Sequence, residues 1–257
     1  MICCYRDLEA NVTILDGENT RRVLYQYDHF NSTAYSIWDG FTIQNGAAGS
    51  GGALYVCSNS YFYNCNFINN KADGSGGAVY SITAMNNNSK NIFENCLFEN
   101  NSASMGGAIF DMTGLNLINN RFINNTAYTK GGAYFVFMNK NTEISNCIFA
   151  DNTANNAGAI YNRGNMLMTN CNIINNHANE NTGGLYNEVK YSKFYNSIFW
   201  NNYLGEEVNH IEGESTLINC AVEGGFNGLN IINLSSENNG NNDQYYPMFV
   251  DPESYNY

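Results

Sequence analysis

The sequence predicts an all-β chain wound as a single-stranded right-handed parallel β-helix, a solenoid of about 8–9 coils of roughly 25 residues each. Two recurring phrases and the residue composition predict it. The first phrase is Asn64-Cys65-Asn66-Phe67-Ile68-Asn69-Asn70. It returns as Asn95-Cys96-Leu97-Phe98-Glu99-Asn100-Asn101, and at Asn119, Asn146, Asn170 and Asn196. Weaker copies begin at Asp16, Asp39 and Asn219, so the steps between copies are 23, 25, 31, 24, 27, 24, 26 and 23 residues. The second phrase sits between copies of the first: Gly51-Gly52-Ala53-Leu54-Tyr55, Gly76-Gly77-Ala78-Val79-Tyr80, Gly106-Gly107-Ala108-Ile109-Phe110, Gly131-Gly132-Ala133-Tyr134-Phe135, Ala157-Gly158-Ala159-Ile160-Tyr161 and Gly183-Gly184-Leu185-Tyr186.

The composition narrows what such a repeat can be. The 257 residues include 49 Asn and 24 Gly but 2 Pro, and 13% are charged. Helical repeats need unbroken helix-forming stretches, and here Asn or Gly interrupts every unit every few residues. What remains is short apolar bursts between turn residues, about three per unit, each suited to a strand. Three strands and three turns describe one coil, and coils stacked at about 4.8 Å give a rod of roughly 40 Å. An aromatic content of 14% argues against disorder. Eleven Lys and Arg against 23 Asp and Glu, a net charge of −12, leave no basic footprint, so nucleic acid is not an expected partner. No apolar run is long enough for a transmembrane helix.

Taken in chain order, residues 1–15 carry neither the basic and apolar segments of a signal peptide nor an amphipathic cap, so the natural N-terminus is expected to lie outside this chain. The coils follow, and the 31-residue step places its excess in a polar loop around Met85-Asn86-Asn87-Asn88-Ser89-Lys90. The β-helix is expected over 1–232 and an irregular C-terminal segment over 233–257, leading to a continuation beyond Tyr257.

In a stacked coil, like lies on like. Phe67, Phe98, Phe122, Phe149, Ile173 and Phe199 are expected to form one buried column with offset-stacked rings. Asn-Asn pairs belong at the sharp turns, where Asn tolerates left-handed backbone and its amide can bond from rung to rung. Paired glycines permit tight bends. Cys65, Cys96, Cys147, Cys171 and Cys220 recur with the repeat. They therefore read as small buried fillers with free thiols rather than as a disulfide framework.

These Gly-Gly-Ala-[Ile/Val/Leu] and Phe-x-x-Asn phrases resemble the repeats of right-handed parallel β-helix proteins of bacterial surfaces, including polymorphic outer-membrane protein-like repeats. Thr13-Ile14-Leu15-Asp16-Gly17, Arg22-Val23-Leu24-Tyr25 and Asp39-Gly40-Phe41-Thr42-Ile43-Gln44-Asn45-Gly46 look like early coils of such proteins. Pro247-Met248-Phe249-Val250-Asp251-Pro252 resembles the stretch before a C-terminal anchor in secreted β-helix proteins of gut-type bacteria. The resemblance spans nearly the whole chain. It implies an extracellular or bacterial cell-surface location, with signal and anchor outside this chain, and an adhesin-like, pectin lyase-like shape. It supplies no catalytic motif.

Candidate chemistry is thin. A polysaccharide lyase needs a cationic base and usually bound cations, yet Lys71, Lys130, Arg121, Arg163 and His177 are scattered through the repeat. A glycoside hydrolase needs paired carboxylates. Asp151 falls in the column of Asn69, Asn100 and Asn124, while Asp73 and Asp111 fall in others. Glu206, Glu207, Glu212, Glu214 and Glu223 match no calcium loop and read as a solvated acidic face. His29, His177 and His210 occupy unrelated positions, so neither a metal site nor a triad is expected, and no cofactor is. One feature points to binding: Tyr55, Tyr80, Phe110, Phe135, Tyr161 and Tyr186 all end the second phrase. Strand alternation sets them opposite Leu54, Val79, Ile109, Tyr134, Ile160 and Leu185. If the aliphatic column points inward, the aromatics form an exposed ladder for sugars. Otherwise the aromatics are themselves the buried column. The expected function is thus a non-catalytic, adhesin-like surface module contacting a polysaccharide or host glycan through this stripe. The alternatives are a carbohydrate-active enzyme working along the rod, or a spacer.

Overall fold

The computed structural model describes residues 12–27, 35–83, 91–137, 140–223 and 232–234. Every regular element among them is a strand, and almost all strand pairs are parallel. The chain is a parallel β-solenoid. Its strands stack into four sheets, one of ten strands and three of eight.

A coil carries four short strands rather than the three expected, as the coil from Ser60 to Ser81 illustrates. Ser60–Tyr63 lies in the first sheet. The turn at Asn64 leads to Asn66–Ile68 in the second, and the Asn69-Asn70 turn to Lys71–Ser75 in the third. The bend at Gly76-Gly77 then leads to Val79–Ser81 in the fourth. The extra strand is Lys71–Ser75 and its equivalents, such as Ser102–Met105 and Thr126–Lys130. These stretches are rich in Ala, Ser, Gly and Thr, so they lack the apolar bursts by which the other strands show. Their pairing also carries bulges.

Left-handed backbone makes two of the corners. Asn64, Asn95, Asn119, Asn146, Asn170, Asn196 and Asn219 have positive φ at the first, and Asn69, Asn100, Asn124, Asp151, Asn175 and Asn201 at the second. The residue after each second-corner left-handed Asn turns inward. Asn70, Asn101, Asn125, Asn152, Asn176 and Asn202 are wholly buried. From Asn70 to Asn176 each Nδ2 donates to the next rung's Oδ1, at 3.0 Å for Asn70→Asn101 and 2.9 Å for Asn176→Asn202. Each also donates to a carbonyl of the preceding coil, as Asn125 does to Phe98 at 3.0 Å. Each Oδ1 accepts in addition a backbone N–H, as Asn125 does from Asn101 at 3.0 Å. Burying an amide is costly unless its donors and acceptors are met, and here they are.

The second sheet turns its central column inward. Phe67, Phe98, Phe122 and Phe149 are fully buried and stack at 4.8, 4.7 and 4.6 Å between centroids, with interplanar angles of 5° or less. Phe98 pairs directly with Phe122 in register. Phe62 and Phe93 of the first sheet meet this column edge-on, at 5.7 and 5.6 Å from Phe67 and Phe98, so the interior is filled. Ile173 and Phe199 continue the column, also fully buried. The cysteines Cys65, Cys96, Cys147, Cys171 and Cys220 line the first corner, buried and free. Strand Ile232–Leu234 pairs with Ala221–Glu223. The expected loop at 85–90, His29, residues 1–11 and 235–257 lie outside the described residues.

Candidate functional site

The fourth sheet holds the aromatic stripe. Leu54, Val79, Ile109, Tyr134, Ile160 and Leu185 are fully buried, so the alternate residues Tyr55, Tyr80, Phe110, Phe135, Tyr161 and Tyr186 stand on the outer face. Parallel in-register pairing places each over the next. Their centroids are 5.4, 5.3, 5.0, 5.2 and 5.0 Å apart. Tyr25, which follows Leu24 without a Gly-Gly-Ala phrase before it, extends the ladder below Tyr55 at 5.0 Å. The alignment of Leu24-Tyr25 with Leu54-Tyr55 was its only signal, because Arg21-Arg22 stands where the glycines do elsewhere.

The ladder is both outward and largely covered. Phe110, Phe135 and Tyr161 are 5, 2 and 3% exposed, packed with Met105, Met112 and Phe137. Tyr55, Tyr80 and Tyr186 are half-buried. Stacking at the rung spacing turns ring faces toward one another, so the rim of the ladder, its ring edges and phenol hydroxyls, meets solvent.

Cations gather on the ladder. The Arg22 guanidinium lies 5.6 and 5.2 Å from the Tyr25 and Tyr55 centroids, held by the Ser50 and Gly51 carbonyls. The Lys130 ammonium is 4.4 Å from the Tyr161 centroid and donates to its hydroxyl at 3.0 Å. Arg163 stacks on Phe137 at 5.3 Å and pairs with Glu188 at 2.8 Å, while the Tyr161 hydroxyl donates to the same Glu188 carboxylate. Lys130 and Arg163, unrelated in the sequence, thus converge on one ladder segment. Burial and the bond to Glu188 push the Tyr161 phenol well above its ordinary pKa, so it is not a ready base.

The other candidates separate. Asp111 is fully buried and accepts from Thr113, Gly114 and Leu115 backbone N–H groups and from the Tyr134 hydroxyl at 2.7 Å, which makes it a turn anchor. Asp151 sits at the left-handed corner, as its column implied. Lys71, Arg121 and His177 lie on different strands from the ladder. The late acidic residues do not form one solvated face. Glu214 pairs with Lys190 at 3.0 Å, whereas Glu223 is 2% exposed beside the buried His210, whose Nε2 is 3.6 Å from its carboxylate. Glu223 is drawn inside because its carboxylate accepts the Asn201 backbone N–H, at 2.7 Å, at the end of the stacked coils. No group of three or more His, Cys, Asp or Glu converges as a metal site among the described residues.

Two shallow grooves went unnoticed in the sequence. One, of about 250 Å³, crosses the outer face of the first sheet at Asn141, Glu143, Asn165, Leu167, Tyr191 and Lys193. The other, of about 420 Å³, lies on the third sheet at Lys71, Asp73, Ser102, Ser104, Thr126 and Tyr128. Tyr191 and Tyr128 are each 78% exposed. Neither belongs to a recurring phrase, which is why the repeat concealed them.

No helix among the described residues is long and apolar enough to cross a membrane. Comparison with curated proteins and with solved structures gives no match. The family model of the Chlamydia polymorphic membrane protein repeat matches residues 64–82 and 95–111. Each matched segment runs from the first left-handed corner, through the Phe column and the buried Asn, to the ladder sheet. The structure repeats that same path in the unmatched coils, as Arg121–Ile123, Asn125 and Tyr134–Val136 illustrate. The chain is a parallel β-solenoid repeat protein, and within two of its coils residues 64–82 and 95–111 are similar to the Chlamydia polymorphic membrane protein repeat.

Proposed function

We propose that this chain is a non-catalytic, surface-displayed β-helix of adhesin type, and that it contacts glycans along the rim of its aromatic ladder. The similarity to the polymorphic membrane protein repeat supports the surface role. The observation that carries the glycan reading is the unbroken outward column from Tyr25 to Tyr186, flanked by Arg22, Lys130, Arg163 and Glu188. With ring faces engaged in stacking, sugars would be met by phenol hydroxyls and the flanking charges. Tyr80 and Tyr186, half-buried, are the contact residues.

A glycan-binding screen of the wild type against Tyr80→Ala and Tyr186→Ala tests this. Binding that falls in the variants supports the reading, and equal binding, or none in any protein, removes it. A carbohydrate-active enzyme is the second reading, favoured by the convergence of Glu188, Tyr161, Lys130 and Arg163 on neighbouring coils. Against it, the Tyr161 proton is firmly held and Glu188 is engaged by Arg163. Release of reducing or unsaturated sugar ends from a glycan panel would overturn the non-catalytic reading.

A further inference from the structure

We propose that the groove on the first sheet, edged by Tyr191, is a separate binding subsite for a short, neutral, hydroxyl-rich oligosaccharide lying along the solenoid axis. It shares a ligand class with the ladder reading but rests on different residues on a different sheet.

Tyr191 is 78% exposed, yet the residue after it is anchored inside and the one before it makes a surface ion pair. Lys190 pairs with Glu214 at 3.0 Å. Ser192 is fully buried, its hydroxyl accepting from Asn162 Nδ2 at 3.0 Å and from the Met166 backbone N–H at 3.2 Å. A large aromatic ring is therefore held out in water on a short anchored loop, and no ring stacks on it among the described residues. In the ladder, by contrast, ring faces are mutually covered at 5.0–5.4 Å. A free ring face is what a pyranose needs, because its axial C–H groups pack on an aromatic plane while its hydroxyls point sideways to polar partners.

The polar partners are present and spaced along the rod. Glu143, Leu167 and Lys193 stand in register on three successive coils. They span two rung spacings, roughly 10 Å. Beside them Asn141 and Asn165 form a second column, joined by a hydrogen bond that Asn165 Nδ2 donates to Asn141 Oδ1 at 3.2 Å. The groove of about 250 Å³ runs over all of these, and an adjoining hollow of about 140 Å³ shares Glu143 and Leu167 with it and extends toward Asn116. Leu167 is 44% exposed on the groove floor. A carboxylate, an ammonium and two amides around an apolar floor offer both acceptors and donors to hydroxyl groups with no net local charge. That favours a neutral chain, and the overall charge of −12 disfavours a polyanion.

The test is titration of the purified chain with maltotriose, cellotriose, xylotriose and chitotriose, followed by calorimetry and ligand-observed NMR. At least one trisaccharide is expected to bind, and Tyr191→Ala to weaken it about tenfold or more. Tyr128→Ala, which removes an equally exposed tyrosine on another sheet, and Tyr186→Ala, on the ladder, are expected to leave it unchanged. Lys193→Met should weaken binding without altering thermal stability. The proposal is overturned if none of the four binds at millimolar concentration, or if Tyr128→Ala costs as much as Tyr191→Ala. It is also overturned if Tyr186→Ala abolishes binding while Tyr191→Ala retains it, in which case the ladder reading stands alone. Loss with Tyr191→Ala and none with the ladder variants leaves this site standing and moves the glycan contact off the ladder.

Discussion

At each second corner two adjacent residues, commonly both asparagine, do opposite work. Asn124 adopts φ 56° at the surface, while Asn125 is fully buried and bonded above and below. The doublet was legible as a turn, but which member goes inside was not, because a left-handed residue breaks the alternation by which a strand's faces are read. The buried column ends on a different residue. Asn202 Nδ2 meets His210 Nδ1 at 3.1 Å, so the imidazole accepts there and carries its proton on Nε2. Burial depresses the His210 pKa from 6.5 to about 4. Because the unfolded chain takes up that proton more readily, the stability contributed by neutral His210 is full above pH 6.5. It is lost as pH falls toward about 4. Glu223, whose pKa burial raises, works in the opposite direction and damps the loss. Urea unfolding as a function of pH is expected to show the wild type weakening across this window relative to His210→Gln, by up to about 3 kcal/mol. Parallel pH profiles would show that His210 binds its proton equally in the folded and unfolded states, so that burial does not shift it.

At the scale of the element, the Gly-Gly-Ala phrase read as a source of bending freedom, and that is half of its role. Gly106 has φ 62° and needs that freedom. Gly107 is required for a different reason: a Cβ there would stand 2.0 Å from the Gly132 carbonyl oxygen and 2.6 Å from that of Thr126. The coils approach too closely for any side chain, which also explains why the second glycine persists at Gly77, Gly132 and Gly158. Gly107→Ala is expected to cost about 2 kcal/mol or more or to prevent folding, a steric demand that the stack cannot relieve without parting its rungs. Gly49→Ala, with nothing within 4 Å of the added methyl, is expected to be neutral. Thermal unfolding of the two variants side by side checks the contrast, and equal melting temperatures would refute it. The third-sheet strand escaped the sequence reading because its inward residues are Ala72, Ala103, Ala127 and Ala154, too small to register as apolar bursts.

For the whole molecule, each coil touches mainly its two neighbours, so stability is a sum along the rod. Central coils have partners on both sides. The first described coil leaves Val12, Ile14, Tyr25, Tyr27, Tyr35 and Ile37 exposed. Native-state amide exchange is expected to be slowest in Leu97–Glu99, Arg121–Ile123 and Ile148–Ala150, and to quicken toward Thr13–Asp16 and Ala221–Glu223. Uniform protection from end to end would mean that the rod unfolds as one unit.

The winding, the coil length, the inward phenylalanines and the unpaired thiols could all be read from one dimension. Each is a property of a repeat, and stacking identical units copies a local choice into a column. The direction and cover of the Tyr55–Tyr186 ladder, the Lys130–Tyr161–Glu188–Arg163 cluster and the Tyr191 groove could not. The ladder positions repeat, but the pleat after two glycines does not fix which face they take or what covers them. The cluster and the groove join residues from different coils at positions that do not repeat, so only the packing of one rung on the next brings them together.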